Sequence, residues 1–249
     1  MEHQPSGPPQ VGEAGQHPDA AARALRVQML ATEHWSLLAT RSLSWNESFA
    51  RAGMFLTLLS GATVALALVA QATSFGSGFA LFALLVLPVV LFVGLATYVR
   101  LLEINNEDYV WVRGMNRLRA AYLEIDPGLA RHFITGTSEA PDAIFQTFGS
   151  QPDGPGNLDT GLFHGFVTTP TTIAFVDATL AGVLTAIVTT QLGKDMMLPA
   201  AGIGVIAFFV VGAALAYFGY RSQAMAHLYP AAQAPSPGAA PKHPQEGPS

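Results

Sequence analysis

In the run at 171–192, TTIAFVDATLAGVLTAIVTTQL, a single side chain is ionisable: Asp177. A carboxylate inside an apolar helical run is costly, and the chemistry that justifies it is a proton relay or an ion path. The competing reading is structural: about two turns from the helix start, the carboxylate pairs with Arg131 or Arg221 or leans on the helix N-terminus. Four further charges border another apolar block, Glu47 and Arg51 before it, Arg100 and Glu103 after it. Between Arg51 and Arg100 stand 48 residues without Asp, Glu, Lys, Arg or His. Alternating signs at both borders read as a charged cytoplasmic mouth serving an ion path or lipid headgroups. They read equally as register-setting ion pairs with snorkelling arginines.

Other chemistry is excluded on context. His132 and His164 have no second histidine at helical spacing, so no zinc site is expected. Asp153-Gly-Pro-Gly-Asn-Leu-Asp159 lacks the alternating ligands and closing glutamate of a calcium loop. Gly202-Ile-Gly-Val-Ile-Ala207 matches a dinucleotide fingerprint as letters, yet it lies in an apolar run with no preceding strand. Gly193-Lys194-Asp195 lacks the rest of a phosphate loop, and GxSxG is absent. The chain has no cysteine, which removes disulfides, thiolate metal sites and thiol nucleophiles together. The expectation is a non-enzymatic chain with no catalytic residues, no metal and no cofactor.

The elements that must position these charges are long apolar helices. Crossing ~30 Å of hydrocarbon takes roughly 20 residues, and 52–71, 79–99, 173–192 and 196–220 each suffice, with tight turns at 72–78 and near 193. The expected fold is all-α: a helical transmembrane protein with four spans in two hairpins. Composition agrees, with 12% charged and 50% hydrophobic residues. Arg23, Arg26 and Arg41 join Arg51 before the first span, five arginines lie between the second and third, Arg221 follows the fourth, and only Lys194 lies in the turns. The positive-inside rule then places both termini and the middle segment in the cytoplasm. Ten Arg against two Lys, with abundant Ala, Gly and Pro, suggests a GC-rich bacterial genome and hence the plasma (inner) membrane.

From Asp19 to Arg51 there is no Pro or Gly, so one cytoplasmic helix, N-capped by Asp19, is expected to run into the first span. After Arg100, the residues Leu101, Ile104, Asp108, Trp111, Met115, Leu118, Tyr122 and Ile125 alternate at three and four, a heptad seam ended by Pro127-Gly128. Trp35, Leu38, Ser42, Trp45, Phe49, Ala52 and Leu56 keep that alternation on the entering helix. The first hairpin is therefore expected to extend into the cytoplasm as an antiparallel helical pair. Facing residue numbers sum to about 151, which sets Arg41 near Asp108 and Glu33 opposite Arg117 and Arg119. Small residues at Ala178, Gly182, Thr185 and Thr189, and at Ser60, Thr63, Ala67 and Ala70, are read as helix contacts rather than a pore lining. Pro88 is expected to kink the second span.

The resulting organisation is a disordered tail at 1–18 with no secretory leader, a cytoplasmic helix at 19–51, a transmembrane hairpin at 52–99 and a cytoplasmic helix at 100–126. A Gly/Pro-rich cytoplasmic segment at 127–170, a second transmembrane hairpin at 171–220 and a tail at 221–249, disordered from about 230, complete it. A net charge of −5 without a basic stripe excludes nucleic acid as a partner. The bilayer and further copies of the chain are the expected partners. ATEHWSLLATRSLSWNESFARAGMFLTLLSG and NEDYVWVRGMNRLRAAY resemble segments of bacterial four-span integral membrane proteins that have no assigned activity. The layout of 19–125 is also similar to two-span effector modules of bacterial nucleotide-signalling defence systems, which implies a pore; the second helix pair departs from that layout. The favoured expectation is a self-associating membrane scaffold or signalling component, and the alternative an oligomeric pore using Asp177 and the charged mouth.

Overall fold

The computed structural model describes residues 16–147, 168–193 and 197–228. Every regular element among them is helical: α1 (Gln16–Thr73), α2 (Ser77–Ile125), a 3-10 turn η1 (Pro127–His132), α3 (Pro141–Thr147), α4 (Thr169–Thr190) and α5 (Met197–Leu228). Four of them, α1, α2, α4 and α5, are long and apolar enough to cross a membrane. Residues 1–15 and 229–249 of the expected tails, most of the Gly/Pro-rich stretch with His164, and Asp153 to Asp159 lie outside the described residues, while 16–18 and 221–228 of those tails are helical.

With 58 residues and no Pro or Gly between Pro18 in its first turn and Gly53, α1 rises about 87 Å at 1.5 Å per residue. It begins at Gln16, earlier than expected, so Asp19 stands in its first turn, where a carboxylate favours the positive end of the helix dipole, and not at the cap. α2 continues through Pro88 for 49 residues. Between them only three residues turn the chain, and Ser74 and Phe75 adopt left-handed backbone, φ 49° and 57°. The bonds Phe75 N–H to Ala70 O (3.1 Å) and Gly76 N–H to Thr73 O (2.9 Å) close that turn.

The chain divides into two compact units, one of Met1–Arg51 with Glu107–Phe166, the other of Ala52–Asn106 with Val167–Ser249. In the first, the α2 seam falls as expected: Asp108 and Met115 are buried and Trp111, Leu118, Tyr122 and Ile125 half-buried. The α1 seam does not. Trp35, Trp45 and Phe49 are 70%, 40% and 59% exposed, and the residues turned inward are Leu30, His34, Leu37, Arg41, Ser44 and Ser48, one position earlier in the same alternation. The physical reason is electrostatic. Arg41 reaches Asp108 through two bonds, Nε to Oδ1 at 2.6 Å and a terminal nitrogen to Oδ2 at 3.2 Å, and a bidentate pair fixes the helix face more firmly than one apolar stripe against another. Contacts of His34 with Tyr122, and an approach to 3.2 Å between Leu37 Cδ1 and a Cβ placed on Gly114, share this phase. Glu33, expected against Arg117 and Arg119, is exposed; Arg117 instead binds Glu139, which lies just before α3.

In the second unit, Phe55, Ala83, Leu87, Val90, Leu101, Ile173 and Leu180 form the apolar core. Of the expected α1 stripe, Ala70 is buried while Ser60, Thr63 and Ala67 are exposed, and over that stretch the inward residues are Phe55 and Ala62, with Leu59 and Leu66 half-buried. In a span where nearly every residue is apolar, periodicity does not single out one stripe. On α4 the small-residue face is found where expected. Ala178, Gly182 and Thr189 are buried, and a Cβ on Gly182 would stand 2.7 Å from the carbonyl oxygen of Gly204 in α5. Two backbones in such contact are what small residues permit. Tyr98 Oη donates to Leu215 O at 2.7 Å, and Asn106 Nδ2 to Ser222 Oγ at 2.8 Å, fastening α5 to α2.

Candidate functional site

Asp177 sits just over two turns into α4, which starts after Thr168 with Pro170 in the first turn, where its missing N–H costs nothing. The carboxyl is 0% exposed, and both oxygens lack a hydrogen-bond partner among the described residues. The pairing with Arg131 or Arg221 is therefore not formed: Arg131 donates to His132 Nε2 at 3.1 Å, and Arg221 is exposed. What encloses Asp177 is apolar. Gly94 of α2 faces it so closely that a Cβ there would overlap Oδ1, and the same Cβ would lie 2.8 Å from Phe55 Cε2. The glycine is thus the recess into which the carboxyl fits, and its place in the apolar run gave no sign of that.

The four border charges form two intrahelical pairs. Arg51 donates to Glu47 at 2.8 Å with i,i+4 spacing in α1, and Arg100 to Glu103 at 3.1 Å with i,i+3 spacing in α2. Such pairs contribute little individually in solvent, roughly 0.2–0.5 kcal/mol. The pairs belong to different units, and Asp177 shares its unit with Arg100 and Glu103.

A polar cluster that the sequence did not single out lies in the first unit. Asn116 is fully buried and uses its whole hydrogen-bonding capacity. Nδ2 donates to Ser138 O (3.0 Å) and Ala143 O (3.3 Å), and Oδ1 accepts from Arg119 (2.7 Å) and Thr147 Oγ1 (3.0 Å). Glu139 accepts from both Arg113 and Arg117. Those bonds, Arg117 foremost, hold its carboxyl below the ordinary value of 4.5, against the upward push of burial. Burial, and next the charge of Arg119, holds the His34 imidazole below its ordinary 6.5. The signal in the sequence was slight, an Asn and an Arg three apart on a helix, with the partners mostly backbone carbonyls of a segment that reads as loop. No family model matches the chain, and no curated protein or solved structure does so either.

Proposed function

We propose that this chain is a non-enzymatic, multi-pass protein of a bacterial plasma membrane, with both termini cytoplasmic, that self-associates as a scaffold or signalling component. Insertion is supported by the large apolar side chains left exposed on all four long helices, among them Leu68, Leu85, Phe92, Phe175, Ile206 and Phe209. Each is worth roughly 1.5–3 kcal/mol when removed from water, which lipid supplies. The first two spans form one hairpin whose arms continue as an antiparallel cytoplasmic pair; α4 and α5 form the second. The spacing of basic residues supports the orientation.

Self-association rests on one observation: Trp35, Leu38, Ser42, Trp45 and Phe49 keep a heptad alternation on α1 while exposed, so this seam has no partner among the described residues. A second copy offering the same stripe completes it. Light scattering of the full chain in mild detergent is expected to give an oligomer, and Trp35→Glu with Leu38→Glu to reduce it without loss of helicity. A monomeric wild-type protein would sink the proposal.

A second reading, ion or proton translocation, is favoured by the enclosed, unpartnered carboxyl of Asp177. It requires flux in liposomes that Asp177→Asn abolishes with assembly intact. Absence of flux in the wild type removes it.

A further inference from the structure

Asp177 belongs to α4, yet its carboxyl is enclosed by residues of the other helix pair, Gly94 of α2 and Phe55 of α1, all within one unit. A Cβ on Gly94 would stand 2.8 Å from the carboxyl carbon, so the group fills its recess and leaves no room beside it. Helical spacing puts Ile173, Leu180 and Ala181 on the same side of α4, and all three are buried. Few charged or titratable groups stand on the elements of this unit. α1 carries none from Ala52 to Thr73 and α4 no other than Asp177; α2 carries Tyr98, Arg100 and Glu103, and α5 carries Tyr217, Tyr220 and Arg221 among its described side chains. Tyr98, one turn beyond Gly94, gives its hydroxyl proton to Leu215 O, Arg100 is paired with Glu103, and the three groups on α5 are exposed. None of them bonds to Asp177.

A carboxylic acid and a carboxylate fare differently in such a place. The acid forgoes its hydrogen bonds, whereas the anion would also lie unpaired in apolar surroundings, a far larger cost. The recess therefore suits the acid. We infer that Asp177 is a proton-dependent latch between α4 and α2: as the acid it occupies the Gly94 recess, and on giving its proton to water it leaves, parting this side of α4 from α2. The contact of Gly182 with Gly204 is made by neutral backbones, so α5 keeps its hold on α4 while the α2 side opens. One proton is bound in the latched state and none in the released one, and the released fraction rises about tenfold per pH unit until it predominates. No proton need cross a membrane for this, so the latch and the translocation reading fail separately.

The test uses the full chain in mild detergent, over the pH range in which circular dichroism shows it folded. Infrared difference spectra are expected to show the C=O stretch of a protonated carboxyl without hydrogen bonds at the acid end, lost at the alkaline end and missing in Asp177→Asn. Ala181→Cys, one turn along the same side of α4, reports release through its rate of reaction with N-ethylmaleimide. The same cysteine combined with Asp177→Asn, whose amide has no charge to expel, corrects for the thiol's own ionisation. The ratio of the two rates is expected to climb about tenfold per pH unit. Equal rates across the range, or an Asp177 infrared signal that does not change with pH, would overturn the latch. Should Asp177→Asn fail to fold, isotope-labelled aspartate in the wild type reads the band instead, and its absence at every pH overturns the latch equally.

Discussion

Asp177 and Gly94 occupy one space, and each is intelligible only beside the other. The carboxyl fills the volume that a side chain at 94 would need, so Gly94→Ala forces either Asp177 or Phe55 out of place. Overpacking of this kind costs about 1–3 kcal/mol. Thermal unfolding should therefore show Gly94→Ala destabilised, and Gly94→Ala with Asp177→Ala less affected than the sum of the single changes. Equal and additive losses would mean the two do not share that volume. Acid acts on other residues. His34 titrates lower in the folded chain than in the unfolded, so the unfolded state binds the proton first and stability declines as pH falls below about 6.5. Glu139, also depressed, contributes above its unfolded value and loses that contribution as pH falls through its lower folded value, so a second decline follows below about 4.5. Circular dichroism against pH should resolve both, with the first absent in His34→Gln.

Helix pairing is decided by a few polar contacts laid over an uninformative apolar background. Arg26 meets Glu124 at 2.9 Å and Arg41 meets Asp108, pairs whose numbers sum to 150 and 149. Cysteines at 26 and 124 should thus join through a short bis-thiol reagent. Cysteines at 26 and 108, separated by about 24 Å along α2, should not, and efficient joining of the second pair would refute the register. The α2 seam and the Arg41–Asp108 match were legible because a heptad pattern and opposite charges agreed there. The face of α1 was not, because Trp35, Leu38, Trp45 and Phe49 satisfy the same alternation as Leu30, His34, Leu37, Arg41 and Ser48, and hydrophobicity favours the wrong set. The partner of Arg117 was missed for another reason. Glu139 follows a stretch of Gly, Thr and Ser with no period, and only the fold brings it to α2. Asp177 was legible as an exception in an apolar run, whereas its glycine neighbour, one of many small residues, was not.

For the molecule entire, four helices are long and apolar enough to cross a membrane, and the orientation proposed for them makes a labelling prediction. Single cysteines at Ser77 should react with an impermeant maleimide added to intact cells, and those at Ser138 and Ser222 only after permeabilisation; the reverse would invert the topology. The close approach of Gly182 to Gly204 has a mechanical side. Where backbones touch, the flanking side chains act as keys: Cβ of Ala186 would stand 3.0 Å from a Cβ on Gly204, and Phe208 Cβ 3.2 Å from one on Gly182. A slip of α4 along α5 by a single residue drives a side chain into a backbone, so the pair resists shear and behaves as a keyed joint. Against Asp177, α2 presents Gly94, and there the carboxyl is itself the key, seated in the recess the glycine leaves, so sliding of α4 along α2 must first withdraw it.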